Sequence, residues 1–176
     1  NKLNESLGKS FTDTLLVSSE PGYLLYSDDC AFRRLAKLEY DVDGVWTQGV
    51  LDECLEKGHL KEEDYNNAVV KLIHFGYNST TYNASTLLAA AEKSKWLPLM
   101  DYTYVIDVIT QENTDLSEID KIEKKLSLIK ILSGFMYKLS VQSISKEQRD
   151  SLISYLTSKI ACRSDGHEII YCISCF

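Results

Sequence analysis

The stretch Gly22–Ala36, reading GYLLYSDDCAFRRLA, decides how the chain is read. Tyr23-Leu24-Leu25-Tyr26 is a short apolar run of β-prone residues and predicts a buried strand. Ser27-Asp28-Asp29 follows as an acidic turn, and Phe32, Leu35, Ala36 and Leu38 then recur at helical spacing. The unit is strand, acidic turn, helix.

Working outward, Ser10 is placed to cap a helix with Phe11, Leu15 and Leu16 on its apolar side, and Pro21-Gly22 breaks the chain before the strand. Val42–Trp46 predicts a second short strand. Thr47 is placed to cap a helix carrying Val50, Leu51, Cys54 and Leu55, with Gly58 at its C-terminal end. Leu60–Phe75 predicts a helix with Ala68, Val69, Leu72 and Ile73 on one face, stopped by Gly76. Tyr77–Tyr82 predicts a further strand, and Asn83 caps a helix holding Leu87, Leu88 and Ala91. Strands alternating with helices predict an α/β fold, a parallel sheet flanked by helices, over residues 1–95.

After Trp96-Leu97-Pro98 the pattern becomes helical alone, an α-helical extension over residues 96–176. Leu116, Ile119, Ile122, Leu126, Ile129, Leu132, Met136 and Leu139 recur every three or four residues and predict one long helix. Its stripe either completes the core of the chain or docks a partner. Ser145 and Gln148 form a capping box ahead of Leu152, Ile153, Leu156 and Ile160. The apolar tail from Asp165 to Phe176 reads equally as strand or helix.

The 176 residues suffice for one large domain or a domain with a helical appendage. No apolar run approaches the roughly 20 residues that cross a bilayer, so the chain is expected to be soluble and off the membrane. It opens on Asn1-Lys2-Leu3-Asn4, without an initiator Met or the succession of a signal peptide, and reads as a fragment. Five cysteines, an odd number, argue against a disulfide framework and for a reducing compartment, the cytoplasm by default. A net charge of −7 opposes broad adhesion to a phosphate backbone, although a carboxylate metal site is itself acidic before it binds its ion.

In open parallel sheets, ligands bind at the carboxyl ends of strands, where Asp28 and Asp29 fall. Asp13, one turn into the preceding helix, is the third acid that such an edge can gather. Clustered carboxylates suit Mg²⁺ or Mn²⁺, and a pair of such ions activates water and stabilises the leaving oxygen in phosphodiester hydrolysis. The commoner role of an Asp-Asp pair after a strand is a helix cap beside a solvated neighbour.

Three segments together resemble the PIN family of nuclease domains: Gly8-Lys9-Ser10-Phe11-Thr12-Asp13-Thr14-Leu15-Leu16, the run Gly22–Ala36, and Gly44-Val45-Trp46-Thr47-Gln48-Gly49-Val50-Leu51. Gly58-His59-Leu60 and Leu72-Ile73-His74-Phe75-Gly76-Tyr77 are similar to that family's closing helices and final strand. The likeness covers about half the chain and is nearest to PIN domains at the C-termini of long bacterial helical-repeat proteins. It implies a PIN-like parallel sheet and a metal-dependent endoribonuclease in which Asp13 and Asp29 hold Mg²⁺ or Mn²⁺ and Asp28 assists. Ser27 would orient a carboxylate or its water, and Arg33, Arg34 and Lys37 would meet RNA phosphates. The family begins with a strand bearing an essential Asp, and no such strand precedes Asp13. That departure supports the alternative, a non-catalytic PIN-like interaction module bound to other domains of a longer parent.

Cys162, His167, Cys172 and Cys175 offer the ligand types of a tetrahedral Cys₃His zinc site, at a spacing that is not a standard signature. Ile169, Ile170 and Ile173 favour packing of that tail in a core, where free cysteine is common. His59 and His74 read as ordinary surface or interface residues. Sequons at Asn4, Asn78 and Asn83 would matter only in a secreted chain, and most of the 11 tyrosines read as packed side chains.

Overall fold

Local sequence grammar reaches the structure, a computed structural model describing residues 8–77, 80–111 and 117–175, chiefly as helices. In chain order they are α1 (Lys9–Ser18), β1 (Leu25–Tyr26), α2 (Cys30–Tyr40), β2 (Gly44–Val45), α3 (Thr47–Glu56), α4 (Glu62–His74), α5 (Ala84–Lys93), α6 (Met100–Thr110), α7 (Glu118–Ser140), α8 (Lys146–Ala161) and α9 (Gly166–Ser174). The chain divides into two compact units, Asn1–Lys61 and Glu62–Phe176. The turn at Trp96 lies inside the second.

The expected PIN-like parallel sheet flanked by helices is overturned. Among the described residues the strands are β1 and β2 alone, paired in parallel with Leu25 opposite Gly44 and Tyr26 opposite Val45, against nine helices. A parallel sheet needs several strands apolar on both faces. Of the expected strand Tyr23–Tyr26, Leu25 is buried and Tyr23, Leu24 and Tyr26 are exposed. Thr80–Tyr82, read as strand, is irregular, and the Thr80 hydroxyl instead donates to the carbonyl of Tyr77 at 2.7 Å. Asn78 and Ser79 of that expected strand, and the sequons at Asn4 and Asn78, lie outside the described residues.

In the first unit the buried cluster is Leu15, Leu25, Phe32, Ala36 and Val42. Phe11 closes on Phe32 edge to face, with ring centroids 4.9 Å apart. Helix starts here differ from the sequence reading by one step. Gly8, with φ 84°, precedes α1 at the cap position, so Ser10 falls within the first turn, where its carbonyl accepts the Thr14 hydroxyl at 2.9 Å. Trp46 occupies the cap position of α3, and Thr47 is its first residue.

The regular elements of the second unit are all helices among its described residues. α4 carries Glu62, Glu63 and Asp64 in its first turn and Lys71 and His74 in its last, each sign matched to its end of the helix dipole. α5 packs against α4, α6 and α7, and α9 against α7 and α8. The caps read from sequence are in place: Asn83 and Thr86 form a capping box on α5, and Ser145 and Gln148 form one on α8. Buried Thr86 also donates to Asn66 on α4 at 3.1 Å, while Asn66 donates to the Glu62 carbonyl at 2.8 Å, which ties α4 to α5 through satisfied polar groups. Fully buried Tyr102 donates its hydroxyl to the carbonyl of Leu152 at 3.0 Å, and burial pushes its phenol well above the usual range.

The ambiguous tail is helix α9. It turns back from α8 at Gly166, where any Cβ would collide with the carbonyl of Ile160. Arg163 holds the turn with a two-pronged bond to Asp165, at 2.8 and 3.0 Å, and donates to the Thr110 carbonyl at 2.7 Å. Ile169 is fully buried, whereas Cys162 and Cys175 are exposed.

Candidate functional site

The Ser27–Asp29 turn is where sequence chemistry and backbone topology meet, at the carboxyl end of β1. Asp29 is the cap of α2: its Oδ1 accepts the Phe32 N–H at 3.1 Å. Ser27 braces the turn from both ends. Its Oγ accepts the Asp29 N–H at 3.2 Å, and its carbonyl accepts Arg33 Nη1 at 2.6 Å.

Asp28 reaches across to the start of the helix after β2. Thr47 N–H donates to Asp28 Oδ1 at 2.8 Å, and the Thr47 hydroxyl donates to Oδ2 at 2.9 Å. Both carboxylate oxygens therefore serve the N-terminus of α3, where the dipole favours negative charge. Tyr26 extends the chain. Because the Thr47 hydroxyl gives its proton to Asp28, the Tyr26 hydroxyl, 2.6 Å away, is the donor to Thr47. β1, β2 and two helix starts are thus sewn together by Tyr26, Ser27, Asp28, Asp29 and Thr47.

The basic residues divide. Arg33 lies with its guanidinium carbon 4.8 Å from the centroid of Trp46 and its methylenes along Gly44, where a Cβ would approach them to 3.0 Å. It is a clamp within the fold. Lys37 bridges Asp41 at 2.7 Å and Asp43 at 2.9 Å, all three well exposed. Those two carboxylates raise its ammonium to about 12, and Lys37 in return holds Asp41 below the usual carboxylate value. Arg34 is exposed with no partner among the described residues.

Asp13 stands exposed on α1, beside Lys9, Ser10, Thr14 and Val17 along an open depression. The three acids belong to three different helices: Asp13 lies on α1, Asp29 caps α2 and Asp28 bonds the start of α3. Among the described residues, no group of three or more His, Cys, Asp or Glu side chains is placed to hold a metal ion, either at this turn or at Cys162, His167, Cys172 and Cys175. Cys162 and Cys175 sit at the C-caps of α8 and α9, with His167 and Cys172 on α9.

Sequence reasoning missed Tyr26 and Trp46, whose roles appear only once β1 and β2 are set side by side. It also missed a second feature, on α7. Leu128, Leu132, Phe135 and Leu139 are buried, whereas Ile119, Ile122, Leu126 and Tyr137 are 71%, 57%, 60% and 73% exposed. At 3.6 residues per turn the two sets lie roughly 150° apart around the axis. Ile119 and Ile122 lie on the first turns of α7, where residues 117–123 are exposed on every side, while Leu126 and Tyr137 stand exposed opposite the buried set.

No helix among the described residues is long and apolar enough to cross a membrane. No family model, curated protein or solved structure matches the chain.

Proposed function

We propose that the chain is a non-catalytic helical interaction module whose docking element is the exposed face of α7. The observation that carries this reading is the set of exposed apolar residues Ile119, Ile122, Leu126 and Tyr137 on a helix that fills the core only from Leu128 onward. Large apolar side chains left clustered on exposed turns mark a surface that another chain can cover. The acidic turn points the same way, since Asp28 and Asp29 are engaged as helix caps.

Paired substitutions on one helix test it. Leu132→Ser, on the buried face, is expected to lower stability by about 3 kcal/mol, and Leu126→Ser to leave the melting temperature within about 1 °C. Equal losses in the two variants would show that the outer stripe serves the chain's own core and would sink the reading.

One observation favours the metal-dependent endoribonuclease as a second reading: Ser27-Asp28-Asp29 stands at the carboxyl end of a parallel strand beside two helix N-termini. Its mark would be Mn²⁺-dependent cleavage of single-stranded RNA that Asp29→Asn abolishes.

A further inference from the structure

Cys172-Ile173-Ser174-Cys175, on the last turn of α9, has no task in the docking reading. As part of a zinc site it needs Cys162 and His167, and among the described residues those four do not gather. The pair alone is brought together by the helix. Residues three apart on a helix share a face, with Cα atoms about 5 Å apart, inside the roughly 4.4–6.8 Å that a disulfide spans. The last turn of α9 is also tightened: Cys175, at the C-cap, donates its N–H to the Cys172 carbonyl at 3.3 Å. In a turn closed three residues back, the two side chains eclipse.

The two thiols differ in surroundings. Cys175 is exposed and Cys172 is half-buried, and both are free. From α7, the Lys125 ammonium pairs with Glu168 and lies within electrostatic reach of Cys172. Glu168 first, then Asp165 and Cys172, hold that ammonium above its ordinary value.

We infer that Cys172 and Cys175 are a redox-active dithiol that exchanges with small disulfides. Cys175, the open thiol, attacks one sulfur of the incoming disulfide as its thiolate. The S–S bond breaks, one small thiolate leaves and takes up a proton, and a mixed disulfide stands on Cys175. Cys172 then gives its proton to water and attacks the Cys175 sulfur, expelling the second small thiol and closing the Cys172–Cys175 bond. The protein loses two electrons and two protons, and the small disulfide gains both as it becomes two thiols. A positive charge beside the resolving sulfur is the setting in which thiolates attack. Closing the bond asks only the last turn to tighten, because Ile169, the fully buried residue of α9, lies a turn earlier.

The test incubates the reduced intact chain with oxidised glutathione, alkylates what remains and reads the peptides by mass. Trypsin cuts after Arg163 and so separates Cys172 and Cys175 from Cys30, Cys54 and Cys162. The expected product is one peptide lighter by two hydrogens, unalkylated at both positions, restored by dithiothreitol, with the melting temperature of the chain shifted by less than about 2 °C. Cys172→Ser should hold a glutathione adduct on Cys175, whereas Cys175→Ser should gain its adduct on Cys172 at least about tenfold more slowly. Phenylarsine oxide condenses with two adjacent thiols and releases water, so it should shield both cysteines of the wild type from alkylation and neither remaining cysteine of the single variants. A wild type that stays fully alkylatable, that keeps glutathione on Cys175, or that joins Cys175 to Cys162 or to a second chain overturns the inference. Equal adduct rates in the two variants overturn the order of attack and with it the roles given to the two thiols. Failure of phenylarsine oxide to shield the wild-type pair overturns it without recourse to any variant.

Discussion

The acidic turn and helix α7 invert what their residue types suggest. Ser27, Asp28, Asp29 and Arg33 are the residues that attract a catalytic reading, yet each makes a bond inside the fold. Ile119, Ile122 and Leu126 look like core, yet they face solvent. Suspect residue types are thus poor guides until their partners are counted. A carboxylate at a helix start has a structural task available within 3 Å, whereas an apolar residue on the outer side of a helix has none until another surface arrives.

The contrast can be broken most forcefully on the buried side of α7. Phe135→Ala empties a fully buried position beside Tyr102, whose ring centroid is 6.0 Å away, and is expected to cost about 3–5 kcal/mol in chemical denaturation. Asp28→Ala strips two bonds from Thr47 and one anchor between β1 and α3, and should cost about 1–2 kcal/mol in the first unit. Asp29→Ala removes a single cap bond and should cost about 1 kcal/mol. If either Asp→Ala change instead raised stability, the acids would be strained in place for some other purpose, and the contrast would fail.

The smallest effect belongs to the exposed Lys37 pairs. With the Lys37 ammonium raised to about 12, its contribution is complete below the unfolded value of 10.5 and is lost as pH climbs through 12. Asp41, held low, contributes above its unfolded value of 3.8 and loses that contribution as pH falls. Both are solvent-screened, so Lys37→Met should leave the melting curve at neutral pH nearly superimposable on that of the wild type.

Much of the helical architecture was legible because its signals are local. Asn83 with Thr86 and Ser145 with Gln148 mark starts by reciprocal bonds three residues apart, and Gly58 and Gly76 mark stops with φ of 71° and 75°. The sheet was not legible, because a four-residue apolar run says nothing about neighbouring strands; β1 is two residues long and its one partner is equally short. Gly8 took the cap position expected of Ser10 because its positive φ suits the turn into α1. On α7 a count of every third or fourth apolar residue drifts from Ile122 and Leu126 on one face to Leu132 and Leu139 on the other. Sequence alone merges two stripes into one. Of the candidate site, the acids and Thr47 were visible as helix-start residues, while the link from Asp28 to Thr47, 19 residues apart, exists only after β1 and β2 pair.

The most direct measurement is a calorimetric titration of Mn²⁺ into the chain and into Asp29→Asn. With Asp28 and Asp29 occupied as caps and Asp13 apart on α1, the expected result is no saturable heat in either protein. A saturable isotherm in the wild type that disappears in Asp29→Asn would contradict the account and return the acidic turn to metal chemistry.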